Sequence, residues 1–214
     1  ILHWKPVPFH AHLALDNSQG SVRHLPVYNG GTMSTKTLLT VEQFAQLPDE
    51  EARRYELHQG ELIEVSTGNP KHNFVRDTVV LLFRLFLRDH RLGVALAETE
   101  FQLAPDTVRR PDIAFLPSEQ WAQVDPDTPI IPFTPALVIE VASPSDTIQD
   151  LFGKAQEYLT AGAHTVLVVL VRPFQEVHLF ERSGVRRLLR PDDALELPEL
   201  LPGFSVRVGE FFED

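Results

Sequence analysis

Two stretches, Val108-Arg109-Arg110-Pro111-Asp112-Ile113-Ala114-Phe115-Leu116 and Leu137-Val138-Ile139-Glu140-Val141, decide the fold of this chain. Each holds a short apolar run of strand length, and each carries one acid, Asp112 at the head of its run and Glu140 inside it. An ionised carboxylate in such a place costs several kcal/mol unless it is paired, hydrogen-bonded or bound to metal. Two of them on neighbouring strands repel, and a divalent cation between them is the simplest remedy. The competing reading pairs each acid with a nearby arginine, for which Arg109 and Arg110 are the candidates.

The runs on either side supply the architecture. Thr40 can cap a short helix over residues 41–46, with Gln43 at the capping-box position. Residues 54–57 and 61–65 are strand-like and joined by the turn His58-Gln59-Gly60. A helix of about eighteen residues follows the Gly68-Asn69-Pro70 turn. Its apolar face carries Val75, Val79, Leu82 and Phe86, and Arg84, Arg88 and Arg91 lie nearly opposite, a stripe that reads as a solvated surface more readily than as a phosphate contact. Residues 94–104 and 108–116 read as one antiparallel pair around Pro105-Asp106-Thr107. A second long helix spans 147–161, capped by Asp146 or Thr147 and stopped by Gly162, before a buried strand at 165–171 and its hairpin partner at 176–181. Strands and helices in this order describe an α/β fold with a mixed central β-sheet flanked by helices, not a purely parallel doubly wound sheet.

Composition narrows the field. At 214 residues and 43% hydrophobic, the chain is expected to build one well-cored domain over residues 33–214. Residues 1–32 hold no sustained period and read as an N-terminal tail, poorly ordered or foreign to the native protein, with Met33 as the expected natural start. The longest apolar run, residues 166–171, is far short of the roughly 18 residues of a membrane span, so a soluble, cytoplasmic protein with no membrane partner is expected. With no cysteine, thiolate metal sites, disulfides and cysteine nucleophiles are excluded. A net charge of -11 opposes broad attraction to nucleic acid, so any such contact must be local.

Lys154 supplies a cation. It flanks the apolar stripe of the second long helix, three residues after Leu151 and four before Tyr158, and either reaches the two carboxylates or snorkels with its head in water. Asp112, Glu140 and a backbone carbonyl, that of Val141, are candidate ligands of Mg²⁺ or Mn²⁺, with Lys154 stabilising charge on a phosphate. Ser143-Pro144-Ser145-Asp146 reads as a turn and helix cap rather than as a nucleophile.

Tyr55-Glu56-Leu57 with Gly60-Glu61-Leu62, His72, Arg110-Pro111-Asp112, Glu140-Val141 with Ser143-Pro144-Ser145-Asp146, and Lys154 through Tyr158 to Gly162 together resemble the Uma2 family, also called DUF820. The resemblance runs from about Leu39 to the C-terminus. That family groups restriction endonuclease-like proteins of the PD-(D/E)XK superfamily, so the resemblance implies a restriction-endonuclease-like core. It also implies that Pro111-Asp112 is the PD element and Glu140 the second acid. The position two residues after the second acid, where the simple superfamily pattern has lysine, is Ala142, so Lys154 would be a migrated lysine. Glu56 is a candidate for an additional catalytic acid near the metal, with Glu64 competing and His72 a weaker partner. The expected function is a metal-dependent endonuclease acting on DNA, with a homodimer as an allowed assembly. The alternative is a catalytically inactive module of the same fold that binds nucleic acid or a protein partner.

Overall fold

A computed structural model describes residues 23–29, 32–65 and 68–213, and the chain divides into two units, residues 1–37 and 38–214. In the first unit, β1 (Arg23–Asn29) pairs with β2 (Thr32–Leu38), so strands stand where the sequence shows no period. The expected tail otherwise falls on residues 1–22, 30 and 31, outside the described residues.

The second unit opens with α1 (Val41–Phe44), whose capping box between Thr40 and Gln43 is formed, and α2 (Asp49–Ala52). Next comes the hairpin of β3 (Tyr55–His58) and β4 (Glu61–Glu64), turned by Gln59 and Gly60 at φ 50° and 82°, the paired left-handed conformations of a tight turn. Helix α3 (Pro70–His90) starts at the Asn69 cap with proline in its first turn. Its arginine stripe is exposed, with Arg84 donating to the Ala95 carbonyl and Arg88 paired with Asp89.

The expected hairpin over 94–116 forms, but it is broken in the middle. Its outer parts are β5 (Gly93–Ala97) and β8 (Ile113–Pro117), and its tip is β6 (Phe101–Ala104) with β7 (Thr107–Arg109). The outer parts belong to a six-stranded sheet and the tip to a four-stranded one of order β4-β3-β7-β6. Two local causes coincide at the break: Pro111 has no N–H for a ladder, and Glu98 takes a left-handed φ of 48°.

Beyond the short helix α4 (Ser118–Trp121) come β9 (Leu137–Val141), α5 (Ile148–Ala161) and β10 (Thr165–Leu170), a crossover that makes β9 and β10 parallel. Thr147 caps α5 and Gly162 ends it at φ 118°, a conformation that favours glycine. Strands β11 (Glu176–Glu181) and β12 (Arg186–Leu189) complete the mixed sheet, of order β12-β11-β10-β9-β8-β5. The hairpin β13 (Ala194–Leu197) and β14 (Leu201–Arg207), with a closing 3₁₀ turn over Val208–Phe211, has no counterpart in the sequence expectations.

The sheet is buried on both faces. Val75, Val79, Phe83 and Leu87 of α3 pack with Ile113, Phe115, Leu137, Ile139, Leu167 and Val169, to which the β13–β14 hairpin adds Leu195, Leu201 and Phe204. Across the sheet, Leu151, Ala155 and Tyr158 of α5 pack on Val138, Val166, Val168 and Phe180. Burying each such side chain contributes about 1.5–3 kcal/mol. Strand β9 therefore alternates, with Leu137, Ile139 and Val141 toward α3 and Val138 and Glu140 toward α5.

Candidate active site

The break in the long hairpin places the first acid. The Glu98 N–H donates to the Asp112 carbonyl at 3.2 Å, fixing the backbone where the chain leaves one sheet for the other. The Asp112 side chain is 15% exposed. Its Oδ2 accepts the Val141 N–H at 2.7 Å, and its Oδ1 lies 3.3 Å from Nε2 of His72 in the first turn of α3.

The second acid follows from register. Ile113 pairs with Ile139 across β8 and β9, so Asp112, just before β8, and Glu140, just after Ile139 on β9, lie near the same end of this strand pair, with Glu140 on the face that α5 covers. Glu140 Oε1 accepts a hydrogen bond from Tyr158 Oη at 2.9 Å. Burial pushes the Glu140 carboxyl up to about 7; the Lys154 ammonium opposes this, while Asp112 and Glu56 reinforce it. Glu140 is thus the group at which the fields of Asp112, Lys154 and Glu56 meet.

Lys154 does not spend its charge in bulk water. It reaches from α5 one turn before Tyr158, with Nζ 3.2 Å from Glu56 Oε2. Burial acts against the ammonium, but the Glu140 and Glu56 carboxylates outweigh it and raise the Lys154 pKa.

Glu56 is 2% exposed, and both of its oxygens are engaged. Oε1 accepts the Arg110 N–H at 3.0 Å, and Oε2 accepts from Arg109 Nη1 at 2.8 Å as well as from Lys154. Burial raises the Glu56 carboxyl, but Lys154, Arg109 and the hydrogen bonds outweigh it and leave it below its ordinary value. Glu64, by contrast, is exposed and pairs with Arg54.

Arg109 continues the network, donating through Nε and Nη2 to Glu157 Oε2 at 3.0 and 2.7 Å. Burial works against its guanidinium, yet Glu56 and Glu157 raise its pKa. The arginines thus serve Glu56, Glu157 and, through Arg110, Glu100; among the described residues neither Asp112 nor Glu140 forms an ion pair with an arginine. The sequence reading missed Glu157. The only signal for it is its spacing, three residues after Lys154, on the same helical face.

Chemically, Asp112 and Glu140 are a pair of hard oxygen donors whose charges repel in a poorly hydrated place. Among the described residues no set of three His, Cys, Asp or Glu side chains surrounds one point. Two carboxylates, a main-chain carbonyl and water are a donor set that suits Mg²⁺, which is usually held by one or two carboxylates and keeps several waters. The segment Ser143–Asp146 is a turn, Asp146 Oδ2 accepting the Ser143 N–H at 2.7 Å, and the cap of α5 is Thr147 beyond it.

Residues 41–209 match a family model described as "Uma2: Putative restriction endonuclease". Among solved structures, the chain is similar to a "putative nuclease belonging to DUF820" from Anabaena variabilis ATCC 29413. The two share 18% identity and a TM-score of 0.72, over 81% of this chain and 97% of that one, a likeness of fold. No curated protein matches the chain.

Proposed function

Since the chain belongs to the Uma2 family, we propose that it is a metal-dependent endonuclease that hydrolyses phosphodiester bonds of DNA. The observation that supports this reading is that Asp112 and Lys154 lie near enough to Glu140 to act on its carboxyl, which burial pushes up to about 7. The carboxylates of Asp112 and Glu140 and the carbonyl of Val141 would hold Mg²⁺ or Mn²⁺. When bound, the ion supplies a Lewis acid and a water of lowered pKa.

The chain's own groups do the rest. Tyr158 and the Val141 N–H fix one oxygen each of Glu140 and Asp112, so both carboxylates are oriented before substrate arrives. Lys154 offers its ammonium to the negative charge that grows on the phosphate oxygens. Glu56, bonded to Arg109, Arg110 and Lys154, acts as the anchor of that ammonium. In the net reaction, water adds to phosphorus, one phosphorus–oxygen ester bond breaks, and the leaving oxygen ends as a hydroxyl.

The site occupies one chain, and a homodimer is proposed only as a way of engaging both strands of a duplex. No helix among the described residues is long and apolar enough to cross a membrane. A second reading, a catalytically silent module that binds nucleic acid or a protein, is favoured by Ala142 in the usual lysine position and by the engagement of Lys154 with Glu56.

Plasmid incubated with purified protein and Mg²⁺ or Mn²⁺ separates the two. Nicking or linearisation by the wild type, lost in Asp112→Ala and Lys154→Ala, is expected. Equal cleavage by wild type and Asp112→Ala overturns the assignment, and metal-free DNA binding without cleavage supports the silent module.

A further inference from the structure

We propose that His72 is a positioning residue of the same site, holding Asp112 in the orientation that a divalent cation needs, and that Gly68 is the seat of its ring. The proposal rests on the reading of Asp112 as a metal ligand and adds a layer behind it. His72 is 7% exposed, in the first turn of α3, where the Asn69 side chain accepts its N–H at 2.9 Å. The cap therefore fixes the backbone from which the imidazole projects.

The ring is held on three sides. Nε2 lies 3.3 Å from Asp112 Oδ1, and Nδ1 lies 3.2 Å from Asn73 Oδ1. On the remaining side is the Gly68 backbone, where a Cβ would sit 2.1 Å from Nδ1 and 2.8 Å from Cε1 and Cγ. No side chain fits there while the ring stays in place. A buried histidine satisfied by a main-chain carbonyl would be an ordinary core residue, but here Nε2 faces the Asp112 carboxylate at the head of β8.

Each acid therefore has a partner on a different helix. Tyr158 of α5 donates to Glu140, and His72 of α3 sets Nε2 3.3 Å from Asp112 Oδ1. Each carboxylate oxygen can accept more than one bond, so this contact leaves Asp112 capacity for a cation. Partners behind a metal ligand fix its orientation, and their loss typically weakens metal affinity about 10–100-fold.

Calorimetric titration of full-length protein with Mn²⁺ at one pH tests this, with circular dichroism confirming the fold of each variant. The expected result is that His72→Leu binds Mn²⁺ about 10–100-fold more weakly than wild type. His72→Gln, which keeps a donor, should recover most of that loss, and Gly68→Ala, which changes no donor, should show a loss like that of His72→Leu. Wild-type affinity in His72→Leu, or equal losses in His72→Leu and His72→Gln, overturns the positioning role. Asp112→Asn separates this from the parent reading. If wild type binds Mn²⁺ and Asp112→Asn does not, the metal site stands whatever His72 does; if wild type binds no Mn²⁺, both fall together.

Discussion

Glu140 is the residue whose burial sets itself against stability as pH rises. Its carboxyl, pushed from an ordinary value of 4.5 up to about 7, binds a proton more tightly in the folded chain than in the unfolded one. Between these values the folded state carries the extra proton, so this residue makes the metal-free protein lose stability as pH rises from about 4.5 to about 7, by up to about 3 kcal/mol. Glu56 runs the other way, since its lowered pKa gives stability that is lost as pH falls. The difference between wild type and Glu140→Gln isolates the first effect. Urea unfolding in EDTA should show Glu140→Gln gaining about 2–3 kcal/mol more relative to wild type at pH 8 than at pH 5. An equal difference at both pH values contradicts the burial of a charge at this position. At this scale the sequence discloses Asp112, Glu140 and Lys154, because an acid in an apolar strand and a lysine beside an apolar helical stripe are visible mismatches. It does not choose Glu56 over Glu64. Both sit on the same hairpin, and only the packing of that hairpin against Arg109 and α5 buries one and leaves the other in solvent.

The elements show where local signals suffice and where they stop. Helices α3 and α5 are readable because cap, stop and apolar period agree. The β3–β4 hairpin is readable from its turn. The strand pair over 94–116 reads as one unit, yet it is shared between two sheets, and that division sets Asp112 beside Val141. Its causes, a proline on one side and a left-handed glutamate on the other, become meaningful only when the two strands are already paired. Strands β12 and β14 give weak signals for definite reasons: three of four residues in Arg186–Leu189 are exposed, and Leu201–Arg207 contains Pro202 and Gly203. One glycine tests the packing between strands. A Cβ on Gly93 would meet the Leu116 carbonyl oxygen at 2.1 Å, at a φ of 155°. Gly93→Ala must therefore push β5 away from β8, at a cost of about 2–4 kcal/mol. A melting temperature unchanged from wild type would show that β5 and β8 are not in close contact at Gly93.

For the molecule as a whole, the charge of -11 means that a polyanion is repelled from most directions. The site answers this locally, with Lys154 and Arg109 set among acids and, in the proposed function, a divalent ion between Asp112 and Glu140. The sheet with a helix on each face is the means: α3 brings His72 to Asp112, and α5 brings Tyr158 to Glu140 and Lys154 to Glu56. The proposed function requires a cation shared by Asp112 and Glu140. Anomalous diffraction from Mn²⁺-soaked crystals measures it most directly. The expected result is a manganese peak within coordination distance, about 2.0–2.4 Å, of both carboxylates, absent from Asp112→Asn crystals. Fully soaked wild-type crystals with no peak between Asp112 and Glu140, or with manganese bound only elsewhere, would contradict it.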